Sequence, residues 1–208
     1  MKAKAVVVLG LIFLAGLFRA GAPAARAESP SLERLKYVAE QLVVLETISG
    51  RFTLEKSFEH LDGPVVSQGR FFFARPDFLL WEQRTPAWTR LEVNGDRVEA
   101  WAGSPDQPVR RPEMASGAAR QVIREIMTWM KFEPRAIAAV YEVILESPEP
   151  LTLKAWPRRP GLRKYLDSIQ IEFSADRRVV RRVVLSEALS RSVLTFDQVV
   201  FDQPRPGP

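Results

Sequence analysis

The chain has 208 residues, of which 46% are hydrophobic and 26% are charged, which suits one globular domain and excludes disorder as its main state. Cysteine is absent, which excludes a disulfide scaffold, a thiolate metal site and a cysteine nucleophile, and the single histidine leaves one imidazole for any metal or catalytic site. Sixteen prolines, eleven glycines and twelve phenylalanines favour short strands and turns over a helical bundle.

The first residues predict export. Lys2 and Lys4 precede an apolar and glycine run over 5–18, and small residues follow up to Ala27. The run is shorter than the roughly 20 residues of a membrane span, so we interpret 1–27 as a secretory signal peptide cleaved near Ala27, with 28–208 as a single domain. Removing 1–27 removes four basic residues and no acidic residue, so the net charge of +5 falls to about +1. Nucleic acid is therefore not an expected partner.

A helix and then a run of strands are predicted for the first half. Ser29 and Pro30 give a helix start, and leucines recur at helical spacing until the helix ends near Ser49-Gly50. A strand over 52–58 and a turn over 62–64 come next. Further strands are predicted over 65–74, 78–84, 88–93 and 97–101, with tight turns between them. Connections this short require antiparallel neighbours.

The second half begins with a change in the spacing of apolar residues, from the alternation of a strand to the period of a helix. Residues 122–130 carry a broad apolar face, which predicts a second amphipathic helix ending by Pro134, followed by a helical turn over 137–140. Later strands are predicted over 141–146, 151–156, 169–174, 179–187 and 193–201. We interpret the basic pairs at 110–111 and 158–159, and the basic residues 163–164, as solvated loop charge, with a docking patch for an acidic partner as the alternative.

One strand is apolar on both faces. Phe71 and Phe73 share one face of the strand over 65–74, and Phe72 lies on the other. Two structures fit this pattern: an ordinary core between a curved sheet and the two helices, or a ligand cavity between them. The aromatic content does not decide between the two.

An ordered set of motifs resembles a known family. It comprises Ile48-Ser49-Gly50-Arg51-Phe52, Gln68-Gly69-Arg70-Phe71-Phe72-Phe73 leading into Arg75-Pro76, Leu80-Trp81, Thr85-Pro86, and Asn94-Gly95-Asp96 with Trp101. These motifs resemble the LolA family of periplasmic carriers for outer-membrane lipoproteins. The resemblance implies an α+β, mainly antiparallel fold: an unclosed half β-barrel of about 10–11 strands with a lid of amphipathic helices. It also implies a monomer in the periplasm with no metal and no cofactor.

The resemblance carries over to function. It implies that a hydrophobic cavity shields the acyl chains of lipid-modified proteins between an inner-membrane lipoprotein-releasing transporter and an outer-membrane receptor. Nine residues are expected to line that cavity: Phe52, Leu54, Phe71, Phe73, Leu79, Trp81, Leu91, Ile126 and Trp129. Arg75, which matches the arginine of the family's Arg-Pro pair, is expected to hold the lid closed by binding backbone carbonyls.

Departures from the family leave the cargo open. Leu54 stands where the family commonly has glutamine, Ala102-Gly103 follows Trp101, and the proline- and phenylalanine-rich extension of some members is missing after Phe201. The alternatives are a paralogue carrying a glycolipid or acylated metabolite, and a lipid-sensing adaptor module. No enzyme is expected, because the best polar constellation, His60 with Glu59 and Asp62, lies at a turn where burial cannot tune a pKa.

Overall fold

The computed structural model describes residues 29–116, 123, 126–164 and 166–205. The predicted signal peptide lies outside the described residues, as does Val122 of the predicted second helix. Within the described part of the chain, no helix has the length and apolarity needed to cross a membrane.

Eleven strands form one antiparallel sheet. In chain order they are β1 (Thr47–Phe58), β2 (Val65–Ala74), β3 (Phe78–Thr85), β4 (Trp88–Asn94), β5 (Arg97–Gly103), β6 (Pro108–Arg110), β7 (Tyr141–Pro148), β8 (Leu151–Pro157), β9 (Ser168–Phe173), β10 (Val180–Glu187) and β11 (Ser190–Phe201). The spatial order is β6-β5-β4-β3-β2-β1-β11-β10-β9-β8-β7. The pairing of β1 with β11 therefore joins the two halves of the chain, and β6 and β7 end the sheet without pairing with each other.

The helical segments are short. They are α1 (Pro30–Gln41), α2 (the helical residues 126–131), α3 (Pro134–Val140) and α4 (Pro160–Arg163), with a 3-10 turn at Pro112–Ala115. The predicted mainly antiparallel, unclosed half-barrel with helices is confirmed. The sequence did not predict β6 or α4, because three or four residues carry no measurable hydrophobic period.

The first helix is shorter than predicted. Its start is as expected, because the Ser29 side chain accepts from the Leu32 backbone N–H. The helix ends at Gln41, and the predicted end near Ser49-Gly50 is wrong. Leu42 is already extended, and the Val43 backbone N–H donates to the Arg177 carbonyl at 3.4 Å. Residues 47–50 pair with β2 instead, so sheet pairing overrides the helical period of the leucines.

Two apolar clusters fix the helices over the concave face of the sheet. In the larger cluster, Leu35 and Val38 of α1 and Ile137 of α3 pack with β7–β9. In the smaller cluster, Ile123 and Met127 pack with residues of β2–β4. The two clusters occupy different parts of the sheet, so the helices cover a concave surface that is left partly empty between them.

Arg158 contradicts the prediction of solvated loop charge. It donates from Nη2 to Ser31 Oγ at 3.0 Å, and from Nε to the Ala138 and Tyr141 carbonyls at 3.1 and 2.9 Å. Although the residue is exposed, it ties α1 to α3 and β7. A guanidinium offers five donors in a fixed fork, so one side chain can hold three segments together.

The convex face explains why β2 is apolar on both sides. Phe72 packs with Phe78 and Leu80 in a small buried cluster on that face. The chain after β11 runs across it: Thr47 Oγ1 donates to the Gln203 carbonyl at 3.0 Å, and the Arg205 guanidinium lies 3.6 Å from the Phe78 ring centroid. Phe72 therefore belongs to an outer packing layer, which leaves Phe71 and Phe73 for the concave side.

Candidate functional site

A cavity of about 500 Å³ lies between the concave face of the sheet and the helical segments. Its volume falls in the range of about 300–1,000 Å³ that is typical of small-molecule sites. The described lining is predominantly aliphatic and aromatic, and it is drawn from β1–β4, β9–β11, α2 and the segment between α1 and β1.

The structure brings together most of the residues that the sequence singled out. Eight of the nine predicted cavity residues line it: Leu54, Phe71, Phe73, Leu79, Trp81, Leu91, Ile126 and Trp129. Strand pairing sets them side by side, because Phe71, Trp81 and Leu91 lie in one register across β2, β3 and β4, and Phe73 pairs with Leu79.

Phe52 is the exception, because it does not line the cavity. It is 1% exposed and stacks on Trp81, with 3.9 Å between the ring centroids. The ring crosses β2 at Gly69, where an added Cβ would lie 2.6 Å from Phe52 Cζ and 2.0 Å from the Glu82 carbonyl oxygen. Glycine is thus required for this close approach, and Phe52 supports the wall from beneath Trp81.

Sequence reasoning missed the wall contributed by the later strands. The missed lining residues include Ile169, Ile171, Phe173, Val183, Leu185, Leu194 and Phe196. Phe196 packs edge-on against Phe71, with ring centroids 5.1 Å apart, because β11 pairs with β1. Alternation within those strands was visible in the sequence, but the pairing that sets them beside β1 is long-range.

The cavity has two chemically different ends. We define the latch end as the end formed by residues 42–46 and by the turns over 75–77 and 174–179. The far end is formed by the turns over 59–64, 86–87 and 188–189, at the opposite ends of the same strands. Antiparallel pairing places alternate turns at opposite ends, so this division follows directly from the topology.

Arg75 occupies the latch end. Its Nε donates to the Leu45 carbonyl at 3.2 Å, and its Nη2 donates to the Lys131 carbonyl at 3.4 Å. Leu45 lies between α1 and β1, and Lys131 is the last residue of α2. One side chain from the turn after β2 thus binds carbonyls of two segments that cover the cavity. The expected role of Arg75 in holding a lid closed stays a prediction.

Lys131 adds a second connection at the latch end. Its Nζ lies 2.8 Å from Glu133 Oε1 and 3.0 Å from Asp77 Oδ1. The hydrogen bonds to Glu133 and then Asp77 raise the pKa of Lys131 above its usual 10.5, against a smaller opposing effect of burial. The turn over 75–77 therefore holds the end of α2 at two points. Arg75 binds the backbone carbonyl of Lys131, and Asp77 binds the Lys131 side chain.

The far end carries a polar belt, which we define as the cavity-lining residues Gln83, Thr89, Glu187 and Ser192. Glu187 Oε2 accepts from Lys56 Nζ at 2.8 Å and from Ser190 Oγ. Both side chains of the ion pair are largely buried, but only Glu187 belongs to the described lining. The ionised group nearest the cavity here is therefore a carboxylate.

Two polar atoms of the lining are buried without a hydrogen-bond partner in the described structure: Ser192 Oγ and Trp129 Nε1. Buried polar side-chain atoms are nearly always hydrogen-bonded, so each such atom calls for an explanation. Ser192 is the more informative of the two, because the whole residue is only 1% exposed.

The polar constellation that the sequence singled out lies outside the described cavity lining. His60, Glu59 and Asp62 are all exposed at the β1–β2 turn. Among the described residues, no group of three or more histidine, cysteine, aspartate or glutamate side chains could hold a metal ion.

Fold and site together define a class: an open antiparallel half-barrel with an apolar cavity under helices. No family model matches the chain, and no curated protein matches its sequence. Solved structures are similar to it at low identity. A LolA superfamily protein from Nitrosomonas europaea is 11% identical with a TM-score of 0.42, covering 86% of this chain and 96% of that one.

Two mycobacterial structures are similar to the chain at comparable levels. The Mycobacterium tuberculosis lipoprotein LppX is 9% identical with a TM-score of 0.47, covering 86% of this chain and 99% of that one. LprF from Mycobacterium bovis is 13% identical with a TM-score of 0.43, covering 86% and 98%. At these values the half-barrel architecture rests on the strand pairing described above.

Proposed function

We propose that this protein is a periplasmic carrier that shields the acyl chains of lipid-modified proteins in its cavity and delivers them from the inner to the outer membrane. The observation that carries the proposal is the apolar cavity of about 500 Å³ beneath segments held by Arg75. In this proposal an inner-membrane transporter loads the carrier and an outer-membrane receptor unloads it.

Transfer energetics support a covered cavity. Each acyl CH₂ removed from water contributes about 0.8 kcal/mol, so a long chain does not leave a membrane at a useful rate without an apolar acceptor. Leu79, Phe73 and their neighbours provide that acceptor. A permanently open apolar surface would attract other proteins, and the helical segments limit this exposure.

Release requires that the cover can move. A ligand shifts a lid equilibrium only by its difference in affinity for the open and closed forms. Arg75 contributes two hydrogen bonds from a charged donor, which together contribute about 1.5–3 kcal/mol and form only while both covering segments are in place. We infer that breaking them opens the latch end for loading and unloading.

Mass spectrometry of co-purified material tests the proposal. The tagged protein, purified from the periplasm, is expected to carry acylated polypeptides. The variant Leu91→Trp should lose these acylated polypeptides, because Leu91 lines the cavity and the larger indole ring would fill part of it. Val109→Trp, at an exposed position on the edge strand β6, is the matched control and should retain the cargo.

Each result has a defined meaning. Acylated polypeptides in the wild type and the control, but not in Leu91→Trp, support lipoprotein carriage. Free glycolipid or another acylated small molecule with the same dependence on Leu91 supports the paralogue instead. Equal amounts of cargo on all three proteins would overturn the cavity as the binding site.

A further inference from the structure

The polar belt at the far end has an unmet hydrogen-bonding capacity. Ser192 Oγ is buried, lines the cavity and has no partner in the described structure. A hydroxyl can donate one hydrogen bond and accept two. A ligand group at this position would satisfy Ser192, whereas a ligand that is apolar throughout would leave it unpaired.

Glu187 supplies an acceptor at the same place. Within the described chain, its contacts with Lys56 and Ser190 both use Oε2, which leaves Oε1 with capacity to accept. Strand pairing sets Ser192 opposite both Lys56 of β1 and Leu185 of β10, two residues before Glu187. Glu187 and Ser192 therefore face the same end of the cavity from neighbouring strands.

The charge arrangement selects against anions. Lys56 neutralises Glu187, but Lys56 is not part of the described lining, so an incoming group meets the carboxylate first. A carboxylate or phosphate placed there would face a like charge in a poorly solvated site. Hydroxyl and amide N–H groups would instead find acceptors, and Gln83 and Thr89 add neutral polar side chains to the lining from β3 and β4.

From this geometry, and resting on the proposed acyl-chain binding, we infer that the polar belt binds an uncharged, hydrogen-bond-donating head group. The cargo is then an acyl lipid whose polar part presents hydroxyl or amide donors rather than an anionic fatty acid or phospholipid. The acyl chain extends from the belt toward the apolar wall formed by Phe71, Leu79 and Trp81.

A set of ligands with one shared acyl chain tests the inference. Methyl oleate, monooleoylglycerol, oleamide and oleate are each titrated into the protein as competitors of a fluorescent acyl probe. Monooleoylglycerol or oleamide should bind roughly 5–10-fold more tightly than methyl oleate, which is about the effect of one added hydrogen bond. Oleate should bind more weakly than methyl oleate. A glyceryl or sugar head group is indicated if monooleoylglycerol leads, and the amide linkage of an acylated polypeptide if oleamide leads.

Substitutions assign the effect to the belt. Ser192→Ala should bring the advantage over methyl oleate to within about 2-fold. Glu187→Gln should raise the affinity for oleate, because it removes the facing negative charge and frees the Lys56 ammonium. Thr195→Ala is the matched control, since Thr195 is on the same strand and outside the described lining.

The outcomes separate this inference from the proposed function. If methyl oleate binds but donors bring no advantage, or if the advantage survives Ser192→Ala, the head-group site is overturned and the acyl-chain carrier stands. If none of the four ligands displaces the probe, the acyl-chain proposal itself fails.

Discussion

The two ends of the cavity differ in how the hydrogen-bonding capacity of their polar side chains is met. At the latch end, Arg75 and Lys131 are satisfied by the protein itself, through carbonyls and carboxylates of the covering segments. At the far end, Ser192 is buried without a partner and Glu187 retains acceptor capacity. The first end is complete without ligand, and the second is complete only with one. This difference agrees with the two proposals, which assign closure to the latch end and head-group recognition to the far end.

Among the substitutions considered, the largest loss of stability is expected in the cavity wall between the two ends. Gly69→Ala places a Cβ 2.0 Å from the Glu82 carbonyl oxygen and displaces the Phe52 ring that supports Trp81. We expect a loss of about 3 kcal/mol in the free energy of unfolding, measured by urea denaturation. Gly161→Ala, where a Cβ meets open space, should change it by less than about 0.5 kcal/mol. Equal effects at the two glycines would contradict the close approach.

Breaking the ion pair at the far end should cost less. Lys56→Met leaves the Glu187 carboxylate uncompensated in a largely buried position, and about 2 kcal/mol of stability should be lost. The double variant with Glu187→Leu should recover most of this loss, because an apolar pair needs no compensation. A double-mutant cycle by chemical denaturation measures the coupling. A coupling near zero would remove the basis for treating the pair as one neutral unit.

Arg75→Leu tests the latch end. It removes two hydrogen bonds to backbone carbonyls, so we expect a loss of about 1.5 kcal/mol in stability and a shift of the lid toward the open form. Transfer of a labelled lipoprotein from loaded carrier to acceptor membranes should slow while uptake persists. Arg75→Lys should recover part of the stability, since an ammonium can reach one carbonyl. Wild-type transfer by Arg75→Leu would return Arg75 to a purely structural turn residue.

Asp77→Asn should produce the smallest effect. The Asp77 side chain is 46% exposed, and exposed ion pairs contribute less than about 1 kcal/mol. Because the pKa of Lys131 is raised above 10.5, the contribution of its partners is present below that pH and lost as the pH rises through the raised value. Thermal melts at pH 8 and pH 11, at low and high salt, check this sign. A loss confined to acidic pH would contradict it.

Local sequence patterns predicted most of the helices and strands. Long-range strand pairing determined which side chains meet at the cavity. The limits of β2 matched the prediction because alternation and turn residues bound that strand on both sides. Arg75 could be placed at the interior rim from its position after Phe71 and Phe73 alone. Ser192 and Glu187 gave no such signal, because their significance comes from lying opposite β1. The helical spacing of leucines misled for the same reason, because α1 ends at Gln41 and residues 47–49 pair with β2.

Quenching of tryptophan fluorescence by a brominated acyl chain reports whether the chain enters the cavity, because bromine quenches only at short range. Trp81 lines the cavity, whereas Trp156 lies outside the described lining, beside Lys154. Two single-tryptophan variants are prepared with the remaining tryptophans replaced by phenylalanine, and their folding is verified by circular dichroism. We expect saturable quenching of Trp81 by a bromostearoyl lipid and no quenching of Trp156. Equal quenching of both, or quenching of neither, would contradict acyl-chain binding in the cavity.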